Sequence, residues 1–183
     1  IKAGDQLTLE DLLNGLLLYS GNDNAVAIAD HIAGSTEKFA EMMNAEAKKL
    51  MATNSHFVNP SGLHDDNHYT TAYDLYLIFN ECIKHDDFVK IINSSSYTAH
   101  ITGADGTKRD VKWEPTNYYA KGEATPPDNV TIIGGKTGTT KGAGNCLILL
   151  TKDSSGNPYI SIIMGAGSKP LLYQDMTSML SKI

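Results

Sequence analysis

The sequence is poor in positive charge and contains a single arginine, Arg109. Its 15 Lys and Arg residues are outnumbered by 21 Asp and Glu residues, which gives a formal net charge of −6 at pH 7. Proteins that bind nucleic acids concentrate Lys and Arg where they meet phosphates. The composition therefore argues against a nucleic-acid partner.

Cysteine is also scarce, since Cys82 and Cys146 are the only two. Cys82 falls in an amphipathic helical pattern and Cys146 opens an apolar, strand-like run, and neither has the spacing of a metal ligand. We expect two buried thiols that behave as small apolar side chains, with a disulfide as an open alternative. No apolar run approaches the roughly 20 residues of a membrane-spanning helix.

The chain opens on Ile1-Lys2-Ala3-Gly4, with neither an initiator Met nor the basic-then-apolar segment of a secretion signal. We therefore expect a trimmed or cut product, whose localisation cannot be read directly. Its 183 residues fit one domain, or most of one.

Helical patterns fill the first half and strand patterns most of the second. The predicted helices begin at the capping box Thr8-Leu9-Glu10-Asp11, at Asn22, after the cap Ser35, and at Thr71, and a last helix follows Pro170. The predicted strands are Tyr97–Ile101, Lys108–Trp113, Val130–Thr139, Cys146–Lys152 and Tyr159–Met164, and residues 118–129 are predicted as a loop. This order indicates an α+β fold, with a helical cluster beside an antiparallel sheet.

The first candidate site segment is Ser20-Gly21-Asn22, which lies between two helical patterns. A hydroxyl and an amide two residues apart, with Gly between them, can face one cleft. A second copy of the pattern, Ser155-Gly156-Asn157, precedes Pro158 in a hairpin turn. We interpret that copy as structural.

The second candidate segment, Gly134 to Thr140, ends a β-branched run. Lys136 places a charge beside free backbone groups, and the glycines would let a substrate backbone come close or add as a strand. Thr137 and Thr139 would offer hydroxyls to a carboxylate. The letters Gly-Lys-Thr also end a nucleotide-binding P-loop, but that motif needs Gly where Val130 stands and a helix after the Thr.

A third cluster, His64-Asp65-Asp66-Asn67-His68, could suggest a metal. It follows Pro60 and Gly62, so we expect a loop that does not align the two histidines, and no third ligand is evident nearby. We expect its polar side chains to satisfy backbone groups at the next helix start. A metal site is the less favoured alternative.

Together these segments resemble the active-site serine penicillin-recognising superfamily, in which a Lys-Thr-Gly strand and a Ser-x-Asn loop flank a Ser-x-x-Lys nucleophile. They are most similar to the low-molecular-weight D-Ala-D-Ala carboxypeptidases of peptidase family S11, through five landmarks in family order: Ser20–Ala25, Phe57–Leu63, Thr71–Leu75, Gly135–Thr140 and Ala143–Leu147. The resemblance implies a penicillin-binding-protein-like transpeptidase fold. Residues 1–183 would be one incomplete catalytic domain, without the nucleophile segment, a C-terminal β-domain or a membrane anchor.

No Ser-x-x-Lys precedes Ser20. Ser35-Thr36-Glu37-Lys38 matches by letters, but Ser35 follows the helix stop Gly34, which is typical of an N-cap. We therefore expect Ser35 to be structural and this chain to be inactive by itself.

The resemblance also implies roles for individual residues. Ser20 would relay a proton toward the leaving D-alanine nitrogen, Asn22 would hold the substrate amide, and Lys136 would supply positive potential for the terminal carboxylate. The carboxylate site would be lined by Thr137, Gly138 and Thr139, and the Thr139 N–H would be one oxyanion-hole donor.

The implied reaction removes the terminal D-Ala from peptidoglycan stem peptides through an acyl-serine intermediate. The full-length protein would bind β-lactam antibiotics, act outside the cytoplasmic membrane and need neither a metal nor an organic cofactor. Two alternatives stay open: a non-catalytic cell-wall peptide-binding domain, and a serine β-lactamase of the same superfamily.

Overall fold

The computed structural model describes all 183 residues and contains seven helices and five strands. The helices are α1 (Leu9–Leu17), α2 (Asn22–Ala33), α3 (Thr36–Lys49), α4 (Ala72–Cys82), α5 (Asp86–Ile92), α6 (Tyr118–Lys121) and α7 (Lys169–Leu180). The strands are β1 (Tyr97–Thr102), β2 (Lys108–Trp113), β3 (Val130–Thr140), β4 (Gly144–Asp153) and β5 (Pro158–Ala166). No helix has the length and apolar character needed to cross a membrane.

The strands form two antiparallel sheets, a β1–β2 pair and a three-stranded sheet in the order β3-β4-β5. The α+β prediction is confirmed, although the strands divide between two sheets. Successive side chains of β4 point to opposite faces of the larger sheet, and each face is covered by helices. Leu147 and Leu149 pack with the α7 residue Met176, whereas Leu150 packs with Phe79 and Ile92 from α4 and α5.

The predicted capping residues begin and end the helices of the first half. Thr8 and Asp11 form a reciprocal capping box at α1. Gly34 ends α2 in the left-handed conformation, with φ of 79°, and the Ser35 hydroxyl then accepts a hydrogen bond from the Lys38 N–H at 3.2 Å. Ser35 therefore caps α3, as predicted.

Two short helices were not predicted from the sequence. Helix α5 was not predicted, and α6 lies in the segment predicted as a loop. At seven and four residues they are too short to show a clear period. For α6 the signal was in its caps, because the Asn117 side chain accepts from the Tyr119 N–H and Gly122 closes the turn at φ of 72°.

Both cysteines are free thiols, so the disulfide alternative is wrong. Both are half-buried, and not fully buried as predicted.

The glycines of β3 do not all serve the purpose that the sequence suggested. A side chain at Gly134 would place its Cβ 2.2 Å from the Ile92 carbonyl oxygen, and one at Gly135 would lie 2.0 Å from that of Ile148. These two glycines admit the protein's own backbone, not that of a substrate. Gly138 is the third glycine of β3, and it alone faces open space, because a Cβ placed there would have no atom within 4 Å.

We predict that Gly134→Ala lowers the free energy of unfolding by about 1–3 kcal/mol, because the new methyl group would clash with the backbone of α5, which cannot move without disturbing the helix. Gly138→Ala is the matched control and should change it by less than about 0.5 kcal/mol. Urea unfolding of both variants measures the difference. Equal losses in the two variants would contradict the packing given to Gly134.

Candidate active site

A hydrogen bond joins the two candidate segments found in the sequence. The Lys136 ammonium Nζ donates to the Ser20 hydroxyl Oγ at 2.6 Å and to its neighbour's carbonyl, Thr137 O, at 2.7 Å. The two bonded side chains are 116 residues apart in the chain. The fold therefore brings the loop between α1 and α2 into contact with strand β3.

Ser20 occupies a strained position between α1 and α2. Its φ of 62° lies in the left-handed region, which costs a non-Gly residue roughly 1–2 kcal/mol. Such outliers concentrate at functional sites, where the surrounding structure holds them in place. Here the hydroxyl is turned toward Lys136 by a backbone conformation that ordinary loops avoid.

The Ser20 loop is held in shape by Asn24, a residue that the sequence analysis missed. The Asn24 side chain is 1% exposed and lies between Gly15 and Gly21. A Cβ at either glycine would come within 2.6 Å or 2.2 Å of the Asn24 amide nitrogen. The Gly21 N–H also donates to the Gly15 carbonyl at 3.1 Å, so the loop closes on the end of α1.

Lys136 is half-buried, and its side chain spans the space between β3 and the loop that carries Ser20. Because burial disfavours the charged amine, the pKa of Lys136 falls to about 8. The amine is therefore mostly charged at pH 7 and can lose its proton within a unit or so above that. A group with such a pKa can hold an anion and can also pass on a proton.

Thr116, in the segment after β2, connects both halves of the site. Its hydroxyl lies 2.6 Å from the Thr137 hydroxyl, and its N–H donates to the Leu18 carbonyl at 3.2 Å. Thr137 therefore has a fixed hydroxyl partner beside Lys136. No pattern in the sequence pointed to Thr116.

The end of β3 is open to the outside. Thr139 is exposed, and its hydroxyl donates to the Asn145 side-chain oxygen across the β3–β4 hairpin at 3.3 Å. Strand β3 pairs only with β4, so the backbone groups along its other edge are free to meet an extended ligand. The open space at Gly138 lies on this stretch.

Asn22 stands apart from this cluster. It is exposed on the first turn of α2, and Lys136 bonds to Ser20 and Thr137 but not to it. The structure thus brings Ser20, Lys136 and Thr137 into contact, and Asn22 makes no side-chain hydrogen bond with any of them. The roles given to all these residues stay predictions.

The cluster from His64 to His68 is an irregular loop, as predicted, but its side chains do not serve the next helix. The Asp65 carboxylate accepts from the Asn67 N–H at 2.8 Å, and the His68 ring accepts from the Val58 N–H at 3.2 Å. Helix α4 is capped by its own Thr71. No group of three or more His, Cys, Asp and Glu residues is placed to hold a metal ion.

The strain at Ser20 separates two substitutions that both remove the hydroxyl. In Ser20→Ala the residue keeps the free-energy cost of the left-handed backbone conformation, whereas in Ser20→Gly that cost is removed. Part of the stability gained in the Gly variant is lost again, because glycine makes the unfolded chain more flexible. We predict that the Gly variant is more stable than the Ala variant by roughly 0.5–1 kcal/mol in urea unfolding. An Ala variant that equals or exceeds the Gly variant would contradict the strain.

The lowered pKa of Lys136 predicts a pH-dependent stability. Between the folded pKa of about 8 and the unfolded value of about 10.4, the unfolded chain binds more protons, so Lys136 costs less stability as pH rises. The original chain should therefore gain stability relative to Lys136→Met as pH rises through this window, and the difference should be level only below about pH 7. Urea unfolding at half-unit steps from pH 6.5 to 10.5 measures it. A difference that stays constant throughout would contradict the shift.

Comparison with known proteins places this geometry in a family. The chain is 30% identical over 185 residues to D-alanyl-D-alanine carboxypeptidase DacF of Bacillus subtilis, covering 98% of this chain and 43% of the relative. It is 34% identical over 170 residues to D-alanyl-D-alanine carboxypeptidase DacD of Escherichia coli, covering 92% of this chain and 40% of the relative. The chain thus spans about two fifths of these curated relatives.

The fold agrees with a solved structure of the same kind. The crystal structure of the Streptomyces K15 DD-transpeptidase superposes with a TM-score of 0.89 at 30% identity, covering 99% of this chain and 69% of that one. The sequence model of family Peptidase_S11, described as D-alanyl-D-alanine carboxypeptidase, matches residues 1–168. The match to this family model over most of the chain's length shows that the chain belongs to the D-alanyl-D-alanine carboxypeptidase family.

Proposed function

We propose that this chain supplies the substrate-holding half of a D-Ala-D-Ala carboxypeptidase site. The protein that contains it would remove the terminal D-Ala from peptidoglycan stem peptides, outside the cytoplasmic membrane. The observation that carries the proposal is the 2.6 Å contact between Lys136 and Ser20. It gives one cleft both an anion-holding charge and a hydroxyl that can move a proton.

Recognition of the substrate would begin at its terminal carboxylate. Lys136 carries a positive charge at pH 7, and the Thr137 hydroxyl beside it is fixed by Thr116. A charge combined with hydroxyl donors is a suitable receptor for a carboxylate. The substrate backbone would lie along the free edge of β3, where Gly138 leaves room.

Departure of D-alanine requires a proton on its nitrogen. Ser20 Oγ accepts a hydrogen bond from Lys136, so its own hydroxyl proton is free to point into the cleft. Ser20 would give that proton to the leaving nitrogen and recover one from Lys136. Because the pKa of Lys136 is about 8, this transfer costs little near neutral pH.

The acyl-serine step needs a nucleophile that none of the site residues described here provides. Ser35, the serine of the Ser-x-x-Lys match, caps α3 by accepting a hydrogen bond from the Lys38 N–H. We place the nucleophile in a Ser-x-x-Lys segment outside residues 1–183, where β-lactams would acylate the same serine. Thr139 would contribute an oxyanion-hole N–H, and the exposed Asn22 would hold the substrate amide.

A second candidate function is binding of cell-wall peptides without catalysis. The observation that favours it is that Ser35 acts as a cap while Lys136 of β3 is hydrogen-bonded to Ser20. This candidate shares the predicted recognition of D-Ala-D-Ala and differs only in the covalent step.

Labelling by fluorescent penicillin tests the proposal in the gene product that contains these residues. Lys136→Ala should slow labelling by roughly 10²–10³-fold, the usual cost of removing an electrostatic contact at such a site. Ser35→Ala and Lys152→Ala are matched controls, one a cap and one an exposed lysine of β4, and both should label at the original rate.

The possible outcomes separate the two candidates. Labelling that does not depend on Lys136 would contradict the role given to it. Binding of an acetylated peptide ending in D-Ala-D-Ala, but not of its L-Ala-L-Ala counterpart, with no penicillin labelling at all, would favour the non-catalytic candidate.

A further inference from the structure

A groove of about 360 Å³ opens beside the candidate active site. We call it the lysine groove, after Lys112, Lys121 and Lys169, which line it together with Tyr19 and Tyr118. Three of the chain's 15 Lys and Arg residues thus meet at one place on a protein of net charge −6. Glu114 also lines the groove, so the lining carries an excess of positive over negative charge, and this excess favours an anionic ligand.

The lysine groove adjoins the groups that would handle the leaving residue. Tyr19, in its lining, directly precedes Ser20, the proposed proton donor to the leaving nitrogen. Thr116, also in its lining, contacts Thr137, which would bind the leaving residue's carboxylate. A side chain on the leaving residue could therefore extend into this groove.

Only one lysine in the lysine groove lacks an anionic partner. Lys112 pairs with Glu114 at 2.8 Å, and Lys121 pairs with Glu123. Lys169 makes no ion pair, and its ammonium lies 5.7 Å from the centre of the Tyr118 ring. The groove therefore presents one uncompensated positive charge, enough for one carboxylate.

Helix stability does not account for Lys169. It is the first residue of α7, where the positive end of the helix dipole disfavours a cation. Ser168 already caps this helix by accepting from the Leu171 N–H at 3.3 Å. The position of Lys169 is thus unfavourable for its own helix and suited to a ligand in the groove.

The floor of the lysine groove is fixed. The Tyr118 ring stacks on Tyr173 with centroids 4.6 Å apart and planes 8° from parallel, and the Tyr118 N–H donates to the Tyr173 hydroxyl at 2.9 Å. Tyr119 adds a hydroxyl contact of 2.7 Å to Thr177 of α7. The short helix α6 is thereby tied to α7, and the ring beneath Lys169 needs no reordering when a ligand binds.

We propose that the lysine groove is a specificity site for the leaving residue, and that it favours a D-amino acid whose side chain carries a carboxylate. Lys169 is the specificity-determining charge. The proposal rests on the proposed function, because it assigns the groove through Ser20 and Thr137. It extends that function from terminal D-Ala to bulkier, acidic leaving residues.

Hydrolysis of matched peptides tests this in the gene product that contains the chain. The probes are acetyl-Lys-D-Ala-D-Glu, its isosteric partner acetyl-Lys-D-Ala-D-Gln, and acetyl-Lys-D-Ala-D-Ala. We expect kcat/KM for the D-Glu peptide to exceed that for the D-Gln peptide about two- to fivefold, as for other exposed charge pairs, and the preference to shrink in 0.5 M salt.

The variants locate the effect. Lys169→Met should bring the D-Glu to D-Gln ratio close to one and leave hydrolysis of the D-Ala peptide unchanged, whereas Lys169→Arg should keep the preference. Lys48→Met, which removes an exposed lysine near the end of α3, is the matched control for net charge and should keep it as well.

Each result has a distinct meaning. Hydrolysis of the D-Ala peptide with no D-Glu preference, or with a preference that survives Lys169→Met, would overturn the specificity site and leave the proposed function standing. No hydrolysis of any of the three peptides would overturn both.

Discussion

The hydrogen bond from Lys136 to Ser20 is the contact on which the site depends. It spans the boundary between the helical cluster and the three-stranded sheet, and it gives a partly buried ammonium a polar partner that a low-dielectric position requires. Thr116 reinforces it from the side, by contacting Thr137 on the sheet and Leu18 at the end of α1. A shift of one layer against the other would break the Lys136–Ser20 hydrogen bond and at least one of the two Thr116 contacts.

The two sides of this hydrogen bond are held by close backbone packing. On the sheet side, α5 presses its last turn onto Gly134, beside a bulge where the β3–β4 register shifts between Ile132 and Gly134. On the helical side, the buried Asn24 amide fills the space between Gly15 and Gly21. Because none of these glycines carries a side chain, the α5 backbone can reach Gly134 and the Asn24 amide can reach Gly15 and Gly21. These close contacts set the distance between Ser20 and β3.

Sequence patterns predicted the parts of the fold that local physics determines. Period and capping residues located α1 to α4, and β-branched runs located the strands. The short helices α5 and α6 were missed because their formation depends on packing against β3 and α7, as the stacking of Tyr118 on Tyr173 illustrates. The motifs also drew attention to Ser20 and Lys136, which the structure brings into contact, and their catalytic roles stay predictions. Thr116 could not be found in this way, because its contacts with Leu18 and Thr137 join segments that are distant in sequence. Asn24 could not be found either, because the space that it fills exists only once α1 and α2 have packed against each other.

Strand β3 is also an exposed edge of the sheet, and a free edge is a place where a second copy of the chain could pair. A charged residue within an edge strand discourages such pairing, and glycines lower the tendency to extend a sheet. Lys136 and Gly138 thus have a consequence beyond any ligand. The strand to which we assign peptide binding is therefore composed so that it resists self-association. The same few residues would serve both properties.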